Sequence, residues 1–170
     1  LLFVVALPPA GAASAVRADG APCDTTVSAG GDIQAAINAA TTGGVICLEP
    51  GTYSPSATIQ VTKTLTLQGP QAGVDPRPSA STTRTPGDTA SEAIIEGGTN
   101  SLGKILYIDA DNVVLDGLEV ISGTSDMIRQ SDPYTGTVVK HSIIHDGLGD
   151  EGVQLKHCAD CTLEYNYVYD

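Results

Sequence analysis

The chain has 170 residues, 41% of them hydrophobic and 16% charged, with 8 Lys and Arg against 20 Asp and Glu for a formal net charge of −12. That length supports one sizeable core rather than two. The acidity excludes nucleic acid and anionic membrane surfaces as partners, since both are held by clustered cations.

Residues 1–20 open with an apolar run from Leu1 to Leu7, followed by small residues of A-x-A type at Ala13, Ser14 and Ala15, the pattern of the back half of a secretory leader. The run is far shorter than the roughly 20 apolar residues that cross a bilayer. Pro8 and Pro9 also interrupt it, so no membrane span is expected. It has no basic start, and the one methionine is Met127, so the leader reads as partial. The expectation is a secreted protein with a single domain over 23–170. Its four cysteines, Cys23, Cys47, Cys158 and Cys161, suit an oxidising compartment. Three pairings are open; Cys23 with Cys47 and Cys158 with Cys161 is preferred, because residues three apart in a turn lie within disulfide reach. A zinc site would need a second C-x-x-C or a following histidine pair, and a redox dithiol would need a helix opening there. Neither pattern is present.

The stretch GGDIQAAINAATTGG predicts a short amphipathic helix. Ile33, Ala36, Ile37 and Ala40 share a face, Asp32 is placed to cap it, and Gly43 and Gly44 end it. Beyond it the apolar period drops to two, the signature of strands with one buried face. TLTLQG (64–69) and AIIEGG (93–98) alternate in this way and end in glycine. Between them, residues 70–91 are rich in Pro, Ser and Thr without apolar period and read as a long loop thrown out of one coil.

The later segments repeat. VVLDGLEVIS from Val113, TVVKHSIIHD from Thr137 and CTLEYNYVYD from Cys161 align without gaps at a spacing of 24. This stacks Val113 with Thr137 and Cys161, Leu115 with Val139 and Leu163, and Val120 with Ile144 and Val168. Leu118, Ser142 and Asn166 mark a bend, where Ser and Asn side chains can bond to nearby backbone. Asp116, Lys140 and Glu164 form a polar column of alternating sign. A stack of coils exposes the interior of its first layer, and the helix at 33–40 would cover that end.

IQAAINAATTGGVICLEPGTYSPSATIQVTKTLTLQG, residues 33–69, resembles the N-terminal cap and first coils of proteins of the pectin-lyase-like superfamily. The matching parts are the IQ-AI helix, the strand ending in PGTY, the polar strand ending at Lys63 and the strand ending at Gly69. With the later repeats, the resemblance covers nearly all of the chain after the leader. It implies an all-β, right-handed single-stranded parallel β-helix with an N-terminal capping α-helix. Activity is less constrained, because the superfamily holds lyases, hydrolases, epimerases and adhesins.

Candidate chemistry concentrates in HDGLGDEGVQLKH, residues 145–157. Val153 and Leu155 read as inward, with Gln154 and Lys156 outward on the same strand. Elimination from a uronic acid needs carboxylate neutralisation, a base and an acid. Glu151 with Lys156 five positions later resembles the calcium-ligand and lysine-base arrangement of β-helix alginate and chondroitin lyases. Those enzymes carry a second ligand two positions before the glutamate, where this chain has Gly149, and an arginine in a later coil. Asp146, Asp150 and Glu151 are the candidate metal ligands, and Lys156 is the candidate catalytic base. The bland alternative is a turn entering a strand, a pattern common to β-helix coils of every function. An EF-hand fails on Leu148 and His157, which stand where ligands are needed. A glycoside hydrolase is the second enzymatic choice: Asp126 and Asp150, 24 apart, could stack as an acid and base. Tyr165, Tyr167 and Tyr169 could offer aromatic platforms to sugar rings. The acidity of the chain would repel a polyuronate unless cations bridged the two, so calcium is the expected cofactor for such a substrate. The leading reading is thus a secreted, polysaccharide lyase-like protein acting on acidic glycans. The rival is a non-catalytic extracellular β-helix adhesin, structural or glycan-binding protein. Nothing in the sequence speaks to oligomeric state.

Overall fold

A computed structural model describes residues 22–149 and 151–170; the expected leader over 1–20 lies outside the described residues. Fifteen short strands form three sheets in which every pair runs parallel. Sheet 1 stacks β1 (Thr25–Val27), β2 (Gly44–Leu48), β5 (Leu65–Gln68), β8 (Val114–Asp116), β11 (Val138–Lys140) and β14 (Thr162–Glu164). Sheet 2 stacks β3 (Gly51–Tyr53), β6 (Ala93–Glu96), β9 (Glu119–Ile121), β12 (Ile143–His145) and β15 (Tyr167–Val168). Sheet 3 stacks β4 (Ile59–Val61), β7 (Leu106–Ile108), β10 (Ile128–Gln130) and β13 (Val153–Leu155). From β2 onwards successive strands belong to different sheets, and each strand pairs with its counterpart one turn away. This is a single-stranded parallel β-helix.

Its core follows from the alternation. Leu67, Leu115 and Val139 line sheet 1, Ile95, Val120 and Ile144 line sheet 2, and Ile59, Leu106 and Ile128 line sheet 3, all buried in one cluster. The columns read from the repeat stand in register: Leu115 pairs with Val139 and Val139 with Leu163, and Val120 with Ile144 and Ile144 with Val168. The polar column also forms, with Lys140 Nζ 3.6 Å from Asp116 Oδ2 and Lys140 opposite Glu164.

The corner from sheet 1 to sheet 2 shows why the spacing is so regular there. Gly117, His141 and Tyr165 occupy the left-handed region at φ 69°, 46° and 53°. The residue after each makes a ladder: Ser142 Oγ accepts from Leu118 N at 3.3 Å, and Asn166 Oδ1 accepts from Ser142 N at 3.0 Å. Asn166 Nδ2 also donates to Val139 O at 2.7 Å. The bend expected at Leu118, Ser142 and Asn166 therefore exists, with the left-handed residue one position earlier.

Helix α1 (Ile33–Ala39) is capped by Asp32, whose Oδ1 accepts from Ala35 N at 2.9 Å. It ends one residue short of the expectation, because Ala40 is already extended at ψ 147°. Ile33, Ala36 and Ile37 are buried, and the helix packs against β4 and β1. Its cover of β4, the edge of sheet 3, is chemical as well as steric. Gln34 Oε1 accepts from Gln60 N at 2.6 Å and Gln34 Nε2 donates to Gln60 O at 3.1 Å, replacing the backbone partner that the edge strand lacks. Lys63 Nζ closes the other end of the helix on the carbonyls of Asn38 and Ala40, at 2.7 and 2.9 Å.

The expected loop at 70–91 leaves at the same sheet 1–sheet 2 corner and folds back as a strap. Asp116 Oδ1 accepts from Gly73 N at 3.2 Å near its start, and Glu119 Oε1 accepts from Gly87 N at 2.8 Å near its end. Each carboxylate is backed by a histidine of the next coil, His141 Nδ1 on Asp116 and His145 Nε2 on Glu119, both at 2.8 Å. Arg84 is sealed inside, with Nη2 2.5 Å from Glu92 Oε2 and side chains 1% and 0% exposed. Its Nη1 donates to His141 O. Gly117 makes room for the strap: a Cβ there would lie 2.2 Å from Ala72 N. Both preferred disulfides are formed, Cys23–Cys47 and Cys158–Cys161, with Cα separations of 5.8 and 5.9 Å.

Candidate functional site

The outer face of sheet 3 carries a group of polar and charged side chains drawn from four successive turns. Alternation turns Ile128 inward and Arg129 outward, and strand pairing then sets Gln60, Tyr107, Arg129 and Gln154 in one outward row. Neighbouring members stand about 4.8 Å apart, the parallel strand spacing. On the inward side Gln130 is buried, yet it is held by Thr137 Oγ1 at 2.8 Å and by the Tyr134 carbonyl at 2.9 Å.

At one end of the row, Asp126 and Glu151 meet from adjacent turns. Asp126 is 2% exposed and pairs with Arg129 Nη1. Burial opposes ionisation of Asp126, but hydrogen bonds with Glu151 and Arg129 and the charges of Arg129 and Lys156 outweigh it, so its carboxyl stays below the usual range. Gln154 Nε2 donates to Glu151 Oε2, while Gln154 Oε1 is buried without a hydrogen-bond partner. Beside Glu151 lies a cavity of about 250 Å³ at the corner between sheets 2 and 3, also lined by Ser125, Gly147, Val168 and Tyr169.

The partner of Asp126 differs from the one expected. A spacing of 24 would set it beside Asp150, whereas β10 and β13 pair Ile128 with Val153, 25 residues on, which brings Asp126 to Glu151 instead. Between β7 and β10 the spacing is 22, Leu106 to Ile128. Sheet 3 is thus out of step with the repeat that sheets 1 and 2 keep from β8 and β9 onwards.

The other candidates distribute as follows. Lys156 is exposed and lies in the turn after β13 rather than on the strand, because the strand ends at Leu155. Its charge still bears on Asp126. Asp146 sits at φ 54° with its carboxylate 3.1 Å from His145 Nδ1, on the sheet 2 side. Asp150 lies outside the described residues. Among the described residues no three His, Cys, Asp or Glu side chains gather as a metal site.

The tyrosines divide. Tyr167 and Tyr169 are adjacent on sheet 2, with ring centroids 4.4 Å apart. Tyr169 stacks on His145 at 4.8 Å and 4°. Tyr165 lies at the opposite corner, stacked on His141 at 5.4 Å and 8°, with Arg77 5.0 Å from its ring. Tyr165 and Tyr169 therefore each have a face against the preceding turn, while Tyr167 pairs with Tyr169 of its own turn. Only Tyr169 lines the cavity that Glu151 also lines.

No protein-family model matches the chain, and no curated protein matches it. Among solved structures, a mutant of the PL6 family alginate lyase AlyGC matches 93% of this chain at 18% identity, with a TM-score of 0.49. The likeness is one of fold. A resemblance this distant carries no inference about chemistry, and the chain spans 22% of that enzyme's length.

Proposed function

We propose that this β-helix is an extracellular, carbohydrate-active protein that cleaves acidic polysaccharide by β-elimination on the outer face of sheet 3. The observation that carries the reading is the contact between Asp126 and Glu151 from neighbouring turns, flanked by Arg129 and Lys156. Asp126 and Glu151 with Arg129 and Lys156 supply a means to neutralise the substrate carboxylate and a base for the adjacent C–H, and the departing glycosidic oxygen takes its proton from water.

Calcium fits this group in kind. Asp126, Glu151 and the unpartnered Gln154 Oε1 are all hard oxygen donors, and calcium takes six to eight such ligands, the remainder from water and substrate. Bound there, it would neutralise the uronate carboxylate and acidify the neighbouring carbon-bound proton. Lys156, exposed in the turn after β13 with its charge reaching Asp126, is the base that removes that proton in this reading. Two disulfides favour secretion, and among the described residues no helix is long and apolar enough to cross a membrane.

The test is incubation of the protein with pectate, alginate and chondroitin sulfate in calcium, following ultraviolet absorbance from unsaturated products. An absorbance rise on one of them, removed by chelation, is expected. A folded protein that raises no absorbance on any of the three would overturn the lyase reading and leave the non-catalytic glycan-binding alternative.

A further inference from the structure

We infer that Tyr107 and Arg129 form a uronate-binding subsite that sets the specificity of sheet 3 for acidic sugars, a proposal that rests on the carbohydrate-active reading above. The two residues pair directly across β7 and β10, so their outward side chains stand one rung apart, about 4.8 Å. That is close to the length of one pyranose unit, and a glycan lying along the helix axis would meet successive rungs with successive sugars.

Both side chains are held before any ligand arrives. The Tyr107 hydroxyl donates to Asp132 Oδ2 at 3.0 Å, which fixes the ring. Arg129 Nε donates to Ser131 Oγ at 2.6 Å, and Nη1 is engaged by buried Asp126. A guanidinium carries five N–H donors, and these contacts use two, leaving Nη2 and the second Nη1 proton as a fork. The Arg129 side chain is 24% exposed, so the fork is reachable. A carboxylate accepts such a fork through two parallel hydrogen bonds, while the half-buried Tyr107 offers an apolar body with a polar tip for the sugar. Gln154 stands next in the row. A fixed arginine with spare donors beside a fixed tyrosine suits a sugar acid; a neutral sugar would leave the fork unmatched.

The discriminating experiment measures binding and turnover separately, using oligogalacturonate, oligomannuronate and their carboxyl-reduced counterparts. Wild type is expected to bind one of the two acids and to lose at least tenfold in affinity on its reduced form. Arg129→Gln should erase that preference, and Arg129→Lys should restore part of the affinity without the discrimination. Tyr107→Ala, which leaves the buried Asp126 pair intact, should weaken acidic and reduced oligosaccharides alike; unfolding curves for each variant check that it is folded. If wild type binds the acid but forms no unsaturated product, elimination fails and the subsite stands. If Arg129→Gln keeps the wild-type preference while elimination proceeds, the subsite is wrong and elimination stands. Absence of binding to all four oligosaccharides overturns the subsite.

Discussion

At the scale of single residues, burial decides which polar groups matter. Tyr53 points into the core, and its hydroxyl lies 2.8 Å from the carbonyls of both Val27 and Glu49. Burial, then the nearby Glu49 charge, pushes its phenol up to about 12, against a smaller opposing effect of the Glu49 carbonyl bond. A raised folded pKa means that the contribution is complete below the unfolded value of about 10 and is lost as pH rises through the folded one. Alkaline spectrophotometric titration should therefore show one tyrosine ionising last, together with loss of structure, and Tyr53→Phe should remove that step at a cost of about 1 kcal/mol. Asp75 has the opposite sign. Its hydrogen bond from Arg77 lowers it to about 2, so the pair persists at neutral pH and disappears as pH falls through that value. The Asp126–Glu151 contact was not legible in the sequence. A gapless search finds a spacing of 24, which would have placed Asp126 by Asp150, whereas the turns feeding sheet 3 vary in length and shift it to Glu151.

At the scale of elements, the strap over 70–91 is the part that composition described least well. Its Pro, Ser and Thr content announced a loop, but the fastening depends on residues from later coils, Asp116, Glu119, His141 and His145, which no local pattern connects to it. The buried Arg84–Glu92 pair makes a sharp prediction. Removing one partner leaves an uncompensated buried charge, so Arg84→Ala should cost about 3–5 kcal/mol in denaturant unfolding. Replacing both by Leu and Met should recover much of that loss, since apolar packing often matches a buried ion pair. The corner ladder predicts less: Asn166→Ala strips partners from Ser142 N and Val139 O and should cost about 1–3 kcal/mol. For α1, Gln34→Ala should increase hydrogen exchange at Gln60 N, because the edge of sheet 3 then meets water. The helix, by contrast, was readable in its buried face and its Asp32 cap, which lie among neighbouring residues, though it stops at Ala39, before the expected glycines.

At the scale of the whole molecule, one repeat generates three faces that need not share a function. Sheet 2 is covered in part by the strap, sheet 1 continues its polar column, and sheet 3 presents the row from Gln60 to Gln154 with the Asp126–Glu151 contact at its end. The repeat was legible because inward columns must stack apolar on apolar in every coil. Of the candidate residues, Glu151 and Lys156 stood out by charge, while Asp126 and Arg129 lie a turn earlier at a register of 25 rather than 24. The most direct test compares the calcium-dependent rate of unsaturated-product formation on the preferred polyuronate between wild type and Lys156→Ala. Lys140→Ala, in sheet 1, serves as the control. With Lys156 as base, Lys156→Ala should lose about 10²- to 10⁴-fold in kcat at unchanged melting temperature, and Lys140→Ala should keep its rate. A folded Lys156→Ala protein that turns over like wild type would contradict the placement of chemistry on sheet 3.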